Sequence, residues 1–216
     1  LAKTKKVSDL VKWAEDRPIW ISWKLDGLTL VVTYDNGKLT KVVTRGNGHI
    51  GTNITHLAPA ISGIPQSITE KGHLVIRGEA VISYADFEQF IIESEGDYAN
   101  PRNLASGSLS LKDVEEVKQR HIQWIPFTLV YCEHEITSWG KRMLWLEELG
   151  FHPVERQRIE QPTSDNIQKE IDAFTAKVTN KKNPFPVDGL VICYDDTSYA
   201  ATGSVTGHHA TRAGYA

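Results

Sequence analysis

The sequence feature that most constrains the fold is a pair of β-type runs joined by Asp35-Asn36-Gly37. Asn-Gly between such runs favours a tight hairpin turn, because both residues tolerate positive φ. We therefore predict antiparallel strands over residues 28–34 and 38–45. Another run with a period of two starts at Ile19, so that alternate side chains face opposite sides of a strand. The N-terminal part of the chain is thus expected to form an antiparallel sheet.

The rest of the pattern adds helices around strands, without the regular strand–helix–strand rhythm of a parallel sheet. Ser8 is expected to cap a first helix that ends near Pro18. Further strands are expected at 73–83, 122–131 and 187–194, and further helices at 84–95, 138–149 and 164–178. The segment 98–103 is expected to be an ordered loop, with short helices after it. Together these elements predict an α+β fold with antiparallel sheets and peripheral helices.

The composition is that of a compact globular unit with nearly balanced charge. The chain has 216 residues, of which 24 are Lys or Arg and 27 are Asp or Glu, giving a net charge of -3. No overall basic field draws such a chain to nucleic acid, so phosphate groups must be bound by local contacts. No apolar run approaches the roughly 20 residues of a spanning helix, and the start does not resemble a signal peptide. We expect a cytoplasmic monomer without membrane contact, with Cys132 and Cys193 as free thiols.

Lys24 lies in an apolar strand, with Asp26 and Gly27 close behind it. One interpretation is structural: the lysine reaches solvent at a sheet edge or pairs with Asp26. The other is catalytic: as a free amine, Lys24 can attack a phosphorus or carbonyl centre. Asp26 would then orient the amine or hold a divalent ion, and Gly27 would leave room for a ligand. The residues alone leave both interpretations open.

Two further strands carry ionisable groups where apolar side chains would be less costly. Arg77 and Glu79 share one face of a predicted strand, and Asp188 precedes Gly189 at the start of another. These groups form either a solvated outer face or a pocket in which Glu79 accepts hydrogen bonds from ribose hydroxyls. Together with the strand that carries Lys24, three strands bear such groups, which suggests a common cleft.

Other candidate ligand contacts lie in predicted loops. Arg102 has a guanidinium fork that suits phosphate, although an exposed loop arginine is equally ordinary. The glycine-rich segment 45–51 is either a phosphate cradle or a plain turn. The histidines, including His208-His209, lack the spacing of metal ligands, so a zinc site is not expected and no metal ligands are assigned.

Taken in order, five segments resemble the adenylation (nucleotidyltransferase) domain of NAD-dependent bacterial DNA ligases. They cover residues 19–194 and are Lys24-Leu25-Asp26-Gly27, Thr44-Arg45-Gly46-Asn47-Gly48, Arg77-Gly78-Glu79, Asn100-Pro101-Arg102-Asn103 with Gly107-Ser108-Leu109, and Val187-Asp188-Gly189-Leu190-Val191. Lys-x-Asp-Gly alone also resembles ATP-dependent ligases and capping enzymes, whereas Asn-Pro-Arg-Asn followed by Gly-Ser-Leu is more specific to the NAD-dependent branch. The resemblance implies the ligase-type nucleotidyltransferase fold, which is similar to ATP-grasp.

The resemblance also implies a reaction and a set of site residues. The family uses NAD to form a lysyl-AMP at the position of Lys24 and passes AMP to the 5′-phosphate of nicked double-stranded DNA. Mg²⁺ would neutralise charge on the phosphates. The implied roles are catalysis for Lys24 and Asp26, ribose contacts for Arg45 and Glu79, a phosphate contact for Arg102, adenine stacking for Phe127, and a place near the phosphate and metal for Asp26 and Asp188.

The chain departs from the family pattern at several usually charged positions, among them three near the implied site. Cys193 stands where a lysine is usual, Ser22 where an acid is usual, and Ser110 where an arginine is usual. Two alternatives therefore stay open: a non-catalytic DNA-binding or scaffolding remnant of a ligase, and an ATP-using nucleotidyltransferase. We expect an excised adenylation core over 1–216, with an N-terminal helix in 1–18, the motif-bearing core in 19–194 and a truncated segment in 195–216.

Overall fold

The computed structural model describes residues 1–45, 51–94, 96–202, 212 and 214–216. Its strands form two antiparallel sheets. The strands are β1 Ile19–Leu25, β2 Leu28–Asp35, β3 Lys38–Thr44, β4 Leu74–Val81, β5 Gln123–Tyr131, β6 Arg156–Ile159 and β7 Val187–Tyr194. One sheet has the strand order β3-β2-β4-β5, and the other has the order β6-β1-β7. The predicted α+β class with antiparallel sheets is confirmed.

Helices surround the two sheets, as the sequence pattern predicts. They are α1 Val7–Ala14, α2 Tyr84–Ser94, α3 Pro101–Ser108, α4 Val114–Lys118, α5 Trp139–Glu148, α6 Ser164–Thr179 and α7 Thr197–Ala201, together with a 3₁₀ helix at Thr55–Ala60. Among the described residues, no helix is both long and apolar enough to cross a membrane.

The hairpin between β2 and β3 turns at the predicted residues. Asn36 and Gly37 have φ angles of 50° and 75°, the left-handed values that a two-residue turn of this kind requires. Gly37 is further constrained by space, because a Cβ there would lie 2.7 Å from the carbonyl oxygen of Ile68. The turn therefore fixes the register of β2, with its buried side chains, against β3.

Each sheet packs one of its faces against its own hydrophobic core. The four-stranded sheet buries Leu30, Ile76 and Trp124 against a cluster that includes Met143 and Leu146 of α5. The three-stranded sheet buries Ile19, Ile21 and Ile192 together with Leu10 of α1 and Phe174 of α6. Full burial of such a side chain contributes about 1.5–3 kcal/mol. The opposite face of each sheet is therefore left for polar groups.

The chain passes from one sheet to the other between β1 and β2. Gly27 makes this passage possible, because a Cβ there would lie only 2.1 Å from the carbonyl oxygen of Ala80 in β4. The backbone N–H of Asp26 donates to the carbonyl of Pro186, just before β7. The Lys24-to-Gly27 segment is consequently held at the junction of the two sheets.

Two local expectations are wrong, and one strand was missed. Ser8 lies inside α1, whose N-cap is Lys6. The segment 98–103 is not wholly a loop, since α3 begins at Pro101 and the side chain of Asn100 caps it by accepting from Asn103 N at 2.9 Å. Asn at the N-cap followed by Pro at the first helical position is a favourable helix start. The sequence interpretation also missed β6, whose four residues alternate too briefly to be recognised.

Candidate active site

Lys24 forms an ion pair with Asp188 rather than with Asp26. Its Nζ lies 2.9 Å from Asp188 Oδ2, and the two side chains are 31% and 43% exposed. This pair links the end of β1 to the start of β7, across 164 positions of sequence. A carboxylate at this distance is within reach of a proton on the amine. Lys24 is thus accessible and is held at the end of β1 by an adjacent carboxylate.

Asp188 reaches Lys24 because the β1–β7 ladder is irregular there. Lys24 pairs with Gly189 and Leu25 with Val187, so that Asp188 is an extra residue in β7. Such bulges redirect a side chain. Gly189 has a φ of 153°, a value that L side chains rarely adopt and that glycine adopts readily. The Asp-Gly pair therefore creates the bend that aims the carboxylate.

Glu79 lies on the outer face of the four-stranded sheet, beside the passage between the sheets. One carboxylate oxygen accepts from Thr29 Oγ1 at 2.8 Å, and the other accepts from the backbone N–H of Gly27 at 3.3 Å. Burial raises the pKa of Glu79, and these two hydrogen bonds oppose the increase. Thr29 was missed by the sequence interpretation, because only the register of β2 on β4 places it opposite Glu79.

Two arginines share this face with Glu79. The backbone N–H of Arg45 donates to the carbonyl of Thr29 at 3.1 Å, which places Arg45 in the same cross-strand row as Thr29 and Glu79. Arg77 occupies the next row, opposite Val31. Its Nε is buried without a hydrogen-bond partner in the described part of the chain. Burial, reinforced by the nearby Arg45 charge, lowers the pKa of Arg77.

Arg102 is brought to the same junction by α3. Its Nη1 lies 3.5 Å from Asp26 Oδ1, and the arginine side chain is 59% exposed. Because Arg102 lies in the first turn of a helix capped by Asn100, its position is set by the helix and not by a loop. The guanidinium is therefore accessible to a phosphate approaching Lys24.

Phe127 is the extra residue of a bulge in β5. Arg77 pairs with Thr128 and Gly78 with Pro126, which leaves Phe127 out of the ladder. It is half-buried and belongs to neither hydrophobic core of the described residues. Its carbonyl accepts from Trp139 Nε1 at 3.3 Å. The ring is consequently available for contact with a ligand.

The structure also places the three unusual residues. Ser22 is buried on β1, two positions before Lys24 and on the same face. Cys193 lies opposite Trp20, also on this face, and burial raises the pKa of its thiol. Ser110 lies just beyond α3, where its hydroxyl donates to the carbonyl of Gly107 at 2.7 Å. Each of the three is an uncharged residue at a position where the resemblance predicts a charge.

The geometry joins most of the predicted site residues into two adjacent groups. Lys24, Asp26, Arg102 and Asp188 form one group through two ion pairs, and Glu79 with Arg45 forms the other along the outer face of the sheet. The residues 46–50 and 203–211, which include the proposed glycine cradle and His208-His209, lie outside the described residues. In the described ranges there is no cluster of three or more His, Cys, Asp or Glu side chains that could hold a metal.

A large cavity adjoins this site. It has a volume of about 920 Å³ and is bounded by the buried face of the three-stranded sheet, by α6 and by the N-terminal segment. Lys24 and Asp188 contribute to its wall. A smaller cavity of about 240 Å³ lies between the sheets, among Leu25, Ile125 and Val187. We locate the candidate site by its ionisable groups, because the larger cavity is mainly apolar.

Comparison with known proteins identifies the family. Residues 2–211 match the model of the NAD-dependent DNA ligase adenylation domain. A DNA ligase from Lachnoclostridium phytofermentans is 38% identical over 204 residues, covering 92% of this chain and 30% of that protein. A DNA ligase from Leptospira biflexa is 35% identical over 214 residues, covering 96% of this chain and 31% of that protein. The chain therefore spans less than a third of the length of these relatives.

Solved structures support the same fold. An archaeal ATP-dependent RNA ligase superposes with a TM-score of 0.54 at 15% identity, covering 91% of this chain and 44% of that one. At this identity the likeness concerns the fold alone. It confirms the predicted ligase-type nucleotidyltransferase architecture. The family model and the DNA ligase relatives, by contrast, match this chain in sequence. On these grounds the chain belongs to the family of NAD-dependent DNA ligase adenylation domains.

Proposed function

We propose that this chain carries out the AMP-transfer chemistry of an NAD-dependent DNA ligase, with Lys24 as the nucleophile. The observation that carries the proposal is the Lys24 amine at the junction of the two sheets, 2.9 Å from Asp188 Oδ2. An amine becomes a nucleophile once it has lost its proton, and an adjacent carboxylate provides the acceptor. Family membership supplies the matching substrate class.

The first step forms a covalent intermediate. Lys24 Nζ attacks the α-phosphorus of NAD, a nitrogen–phosphorus bond forms, and the bond to nicotinamide mononucleotide breaks. Asp188 Oδ2 accepts the amine proton. Arg102 contacts the phosphate once its exposed ion pair with Asp26 opens. Such point contacts stabilise phosphate without requiring a basic net charge.

The adenosine half is assigned to the outer face of the four-stranded sheet. Glu79 accepts hydrogen bonds from the ribose, Arg45 lies in the same row, and the ring of Phe127 stacks on adenine. Glu79 is held by Thr29 and Gly27, so its carboxylate is fixed before the ligand arrives. Fixing the group in advance reduces the entropy lost on binding.

Mg²⁺ fits this arrangement as a partner of the phosphates. Asp26 and Asp188 offer carboxylate oxygens near Lys24, and Mg²⁺ is commonly held by one or two carboxylates plus substrate phosphates. When bound, it would neutralise charge that develops on the phosphates. The described residues contain no preformed metal cluster, so magnesium affinity should depend on the nucleotide.

The acceptor in the complete reaction is the 5′-phosphate of nicked double-stranded DNA. AMP passes from Lys24 to that phosphate, and the adjacent 3′-hydroxyl then displaces AMP and closes the nick. This part concerns the longer protein, because the chain spans less than a third of its DNA ligase relatives. The monomeric state stays a prediction, which light scattering would check.

Intact-mass spectrometry after incubation with NAD and Mg²⁺ tests the first step. We expect one adenylate per chain, absent from Lys24→Arg, which keeps the charge but not the nucleophile. Lys118→Arg is the matched control, because Lys118 also pairs with a carboxylate, Glu115, at 3.0 Å. Loss of the adenylate in both variants, or in neither, would contradict the assignment. Parallel incubation with ATP decides between the NAD-using and ATP-using alternatives.

The second candidate function is a non-catalytic remnant that binds nicked DNA, which Cys193 favours because the usual lysine is missing there. The variant Cys193→Lys separates the two functions. A higher rate of adenylation would indicate an enzyme limited by one missing cation. If neither this variant nor the parent is adenylated and both bind nicked DNA equally, the remnant is the better description.

A further inference from the structure

Asp195, just after β7, is the centre of a hydrogen-bond network that joins the two sheets. Its Oδ1 accepts from Trp20 Nε1 at 2.7 Å, from Ser138 Oγ at 2.8 Å and from Gly140 N at 3.1 Å. Its Oδ2 lies 3.2 Å from Arg158 Nη1, and the carboxylate side chain is only 15% exposed. Four donors on one enclosed carboxylate form a far more defined contact than a surface ion pair.

The donors come from both halves of the molecule. Trp20 belongs to β1 and Arg158 to β6, in the three-stranded sheet, whereas Ser138 and Gly140 lie at the start of α5. That helix packs on the four-stranded sheet through Met143. Burial opposes ionisation of Asp195, but hydrogen bonds, first from Trp20, outweigh it and lower the pKa. The carboxylate therefore ties one sheet to the helix that covers the other.

Two tryptophans extend this network towards the adenosine face. The rings of Trp20 and Trp139 lie 5.7 Å apart at 52°, and the backbone N–H of Trp139 donates to the carbonyl of Asp195 at 2.8 Å. Gly140 permits this contact, since a Cβ there would lie 2.3 Å from the Trp20 ring. The Asp195 side chain thus binds the Trp20 indole directly and holds Trp139 through its neighbours Ser138 and Gly140.

The network ends at Phe127. As the extra residue of the β5 bulge, Phe127 has no ladder partner, and its carbonyl accepts instead from Trp139 Nε1 at 3.3 Å. A bulged residue is oriented by whatever holds its peptide groups. The direction of the Phe127 ring therefore depends on Trp139.

We propose that Asp195 is a positioning residue for nucleotide binding, which acts through Trp20 and Trp139 to hold Phe127 against the adenine base. It also ties the three-stranded sheet, which carries Lys24, to the helix that packs on the four-stranded sheet. This inference rests on the proposed function, because it assigns adenine to Phe127. Asp195 itself touches neither substrate nor the reacting atoms.

The test compares NAD-dependent adenylation of Lys24 in Asp195→Ala and Asp195→Asn. In Asp195→Ala we expect KM for NAD to rise about tenfold with little change in the rate at saturation, because a displaced Phe127 ring holds the adenine base less well. Asp195→Asn keeps an oxygen for the Trp20, Ser138 and Gly140 donors and should restore most of the affinity. Trp139→Phe, which removes the indole N–H bonded to the Phe127 carbonyl along with part of the ring, should also raise KM.

Asp196→Ala is the matched control. Asp196 caps α7 by accepting from the backbone of Ser198 and Tyr199, so its loss perturbs the adjacent structure without touching Trp20. An equal KM increase in this control, or an unchanged KM in a folded Asp195→Ala protein, would overturn the proposal. If Asp195→Ala does not fold, an unchanged KM in Trp139→Phe overturns it.

A calorimetric series with AMP separates this inference from the proposed function. If the parent protein forms no lysyl-AMP, the proposed reaction fails, yet AMP affinity in the same variants still tests the positioning role. Weaker AMP binding in Asp195→Ala and Trp139→Phe, with parent-like binding in Asp196→Ala, supports it. Equal affinity in all four proteins refutes it.

Discussion

In the absence of bound nucleotide, replacing Arg77 with methionine should stabilise the protein. Arg77 lies on the outer face of β4, with its Nε buried and unpartnered in the part of the chain that the structure describes. The neighbouring Arg45 adds a like charge that further disfavours the guanidinium. Methionine keeps most of the aliphatic stem and removes the donors and the charge.

The expected gain follows from the burial of one donor. An unsatisfied buried polar group costs about 1–3 kcal/mol. Since Arg77 is only half-buried, the lower end of that range applies, and solvent screening makes the contribution of Arg45 small. We therefore expect the free energy of unfolding to rise by about 1 kcal/mol, which for a domain of this size corresponds to roughly 2–4 °C in Tm.

Arg142→Met provides the matched control for that prediction. Arg142 is also partly buried and its pKa is also lowered, mainly by burial, but its Nε donates to the carbonyl of Ile136 at 2.7 Å. Urea denaturation of the two variants should therefore shift in opposite directions. If Arg77→Met loses as much stability as Arg142→Met, the unpaired donor is not a source of instability and the reasoning is refuted.

Two further predictions concern the residues around the passage between the sheets. Gly27→Ala should lower stability by about 1–3 kcal/mol through overpacking and abolish adenylation, because the new Cβ would lie 2.1 Å from the Ala80 carbonyl oxygen. Unchanged urea denaturation together with an unchanged adenylate by intact mass would contradict this prediction. Glu79 must be ionised to accept hydrogen bonds from ribose, and burial raises its pKa. As the pH falls, the rate of adenylation at subsaturating NAD should therefore decline at a higher pH than the ordinary glutamate pKa of about 4.3. Glu79→Gln should have lower activity and a shallower acid limb, because one of the groups that must be ionised has been removed. A limb of unchanged shape in that variant would assign it to another group.

Sequence periodicity and turn chemistry predicted the elements whose signals are local. Asn36-Gly37 determines its own turn, and β7 coincides with its predicted range at 187–194. The start of α3 was misjudged because the proline in Asn100-Pro101 was interpreted as a loop residue, although proline also favours the first position of a helix. Local signals thus predicted most elements and misplaced one boundary near the site.

Sequence reasoning expected the candidate site residues in one cleft, but it offered Asp26 and not Asp188 as the partner of Lys24. Asp26 is two positions from Lys24, yet it lies beyond the end of β1 and pairs with Arg102. The partner of Lys24 is Asp188, and that contact depends on the register of β1 against β7 and on a bulge. Register between distant strands is set by tertiary packing, which no local pattern contains. Thr29 beside Glu79 was missed for the same reason.

The pairing of Lys24 with Asp188 leads to a last prediction, in which binding and chemistry change in opposite directions. Asp188→Asn removes one negative charge 2.9 Å from the amine, so that an anionic phosphate meets less repulsion there. The same change removes the proton acceptor on which the attack by Lys24 depends. We therefore expect tighter binding of AMP but slower formation of lysyl-AMP.

Calorimetry with AMP and single-turnover intact-mass kinetics with NAD measure the two effects separately. Asp9→Asn, a change of the same charge on α1, controls for the overall charge of the protein. If Asp188→Asn both binds and reacts more weakly, the carboxylate mainly supports the local structure. If it binds more tightly and reacts as fast as the parent, another group accepts the proton. The opposite changes expected here would show that a nearly neutral chain handles phosphate with cations such as Lys24, whose carboxylate partner the nucleotide replaces.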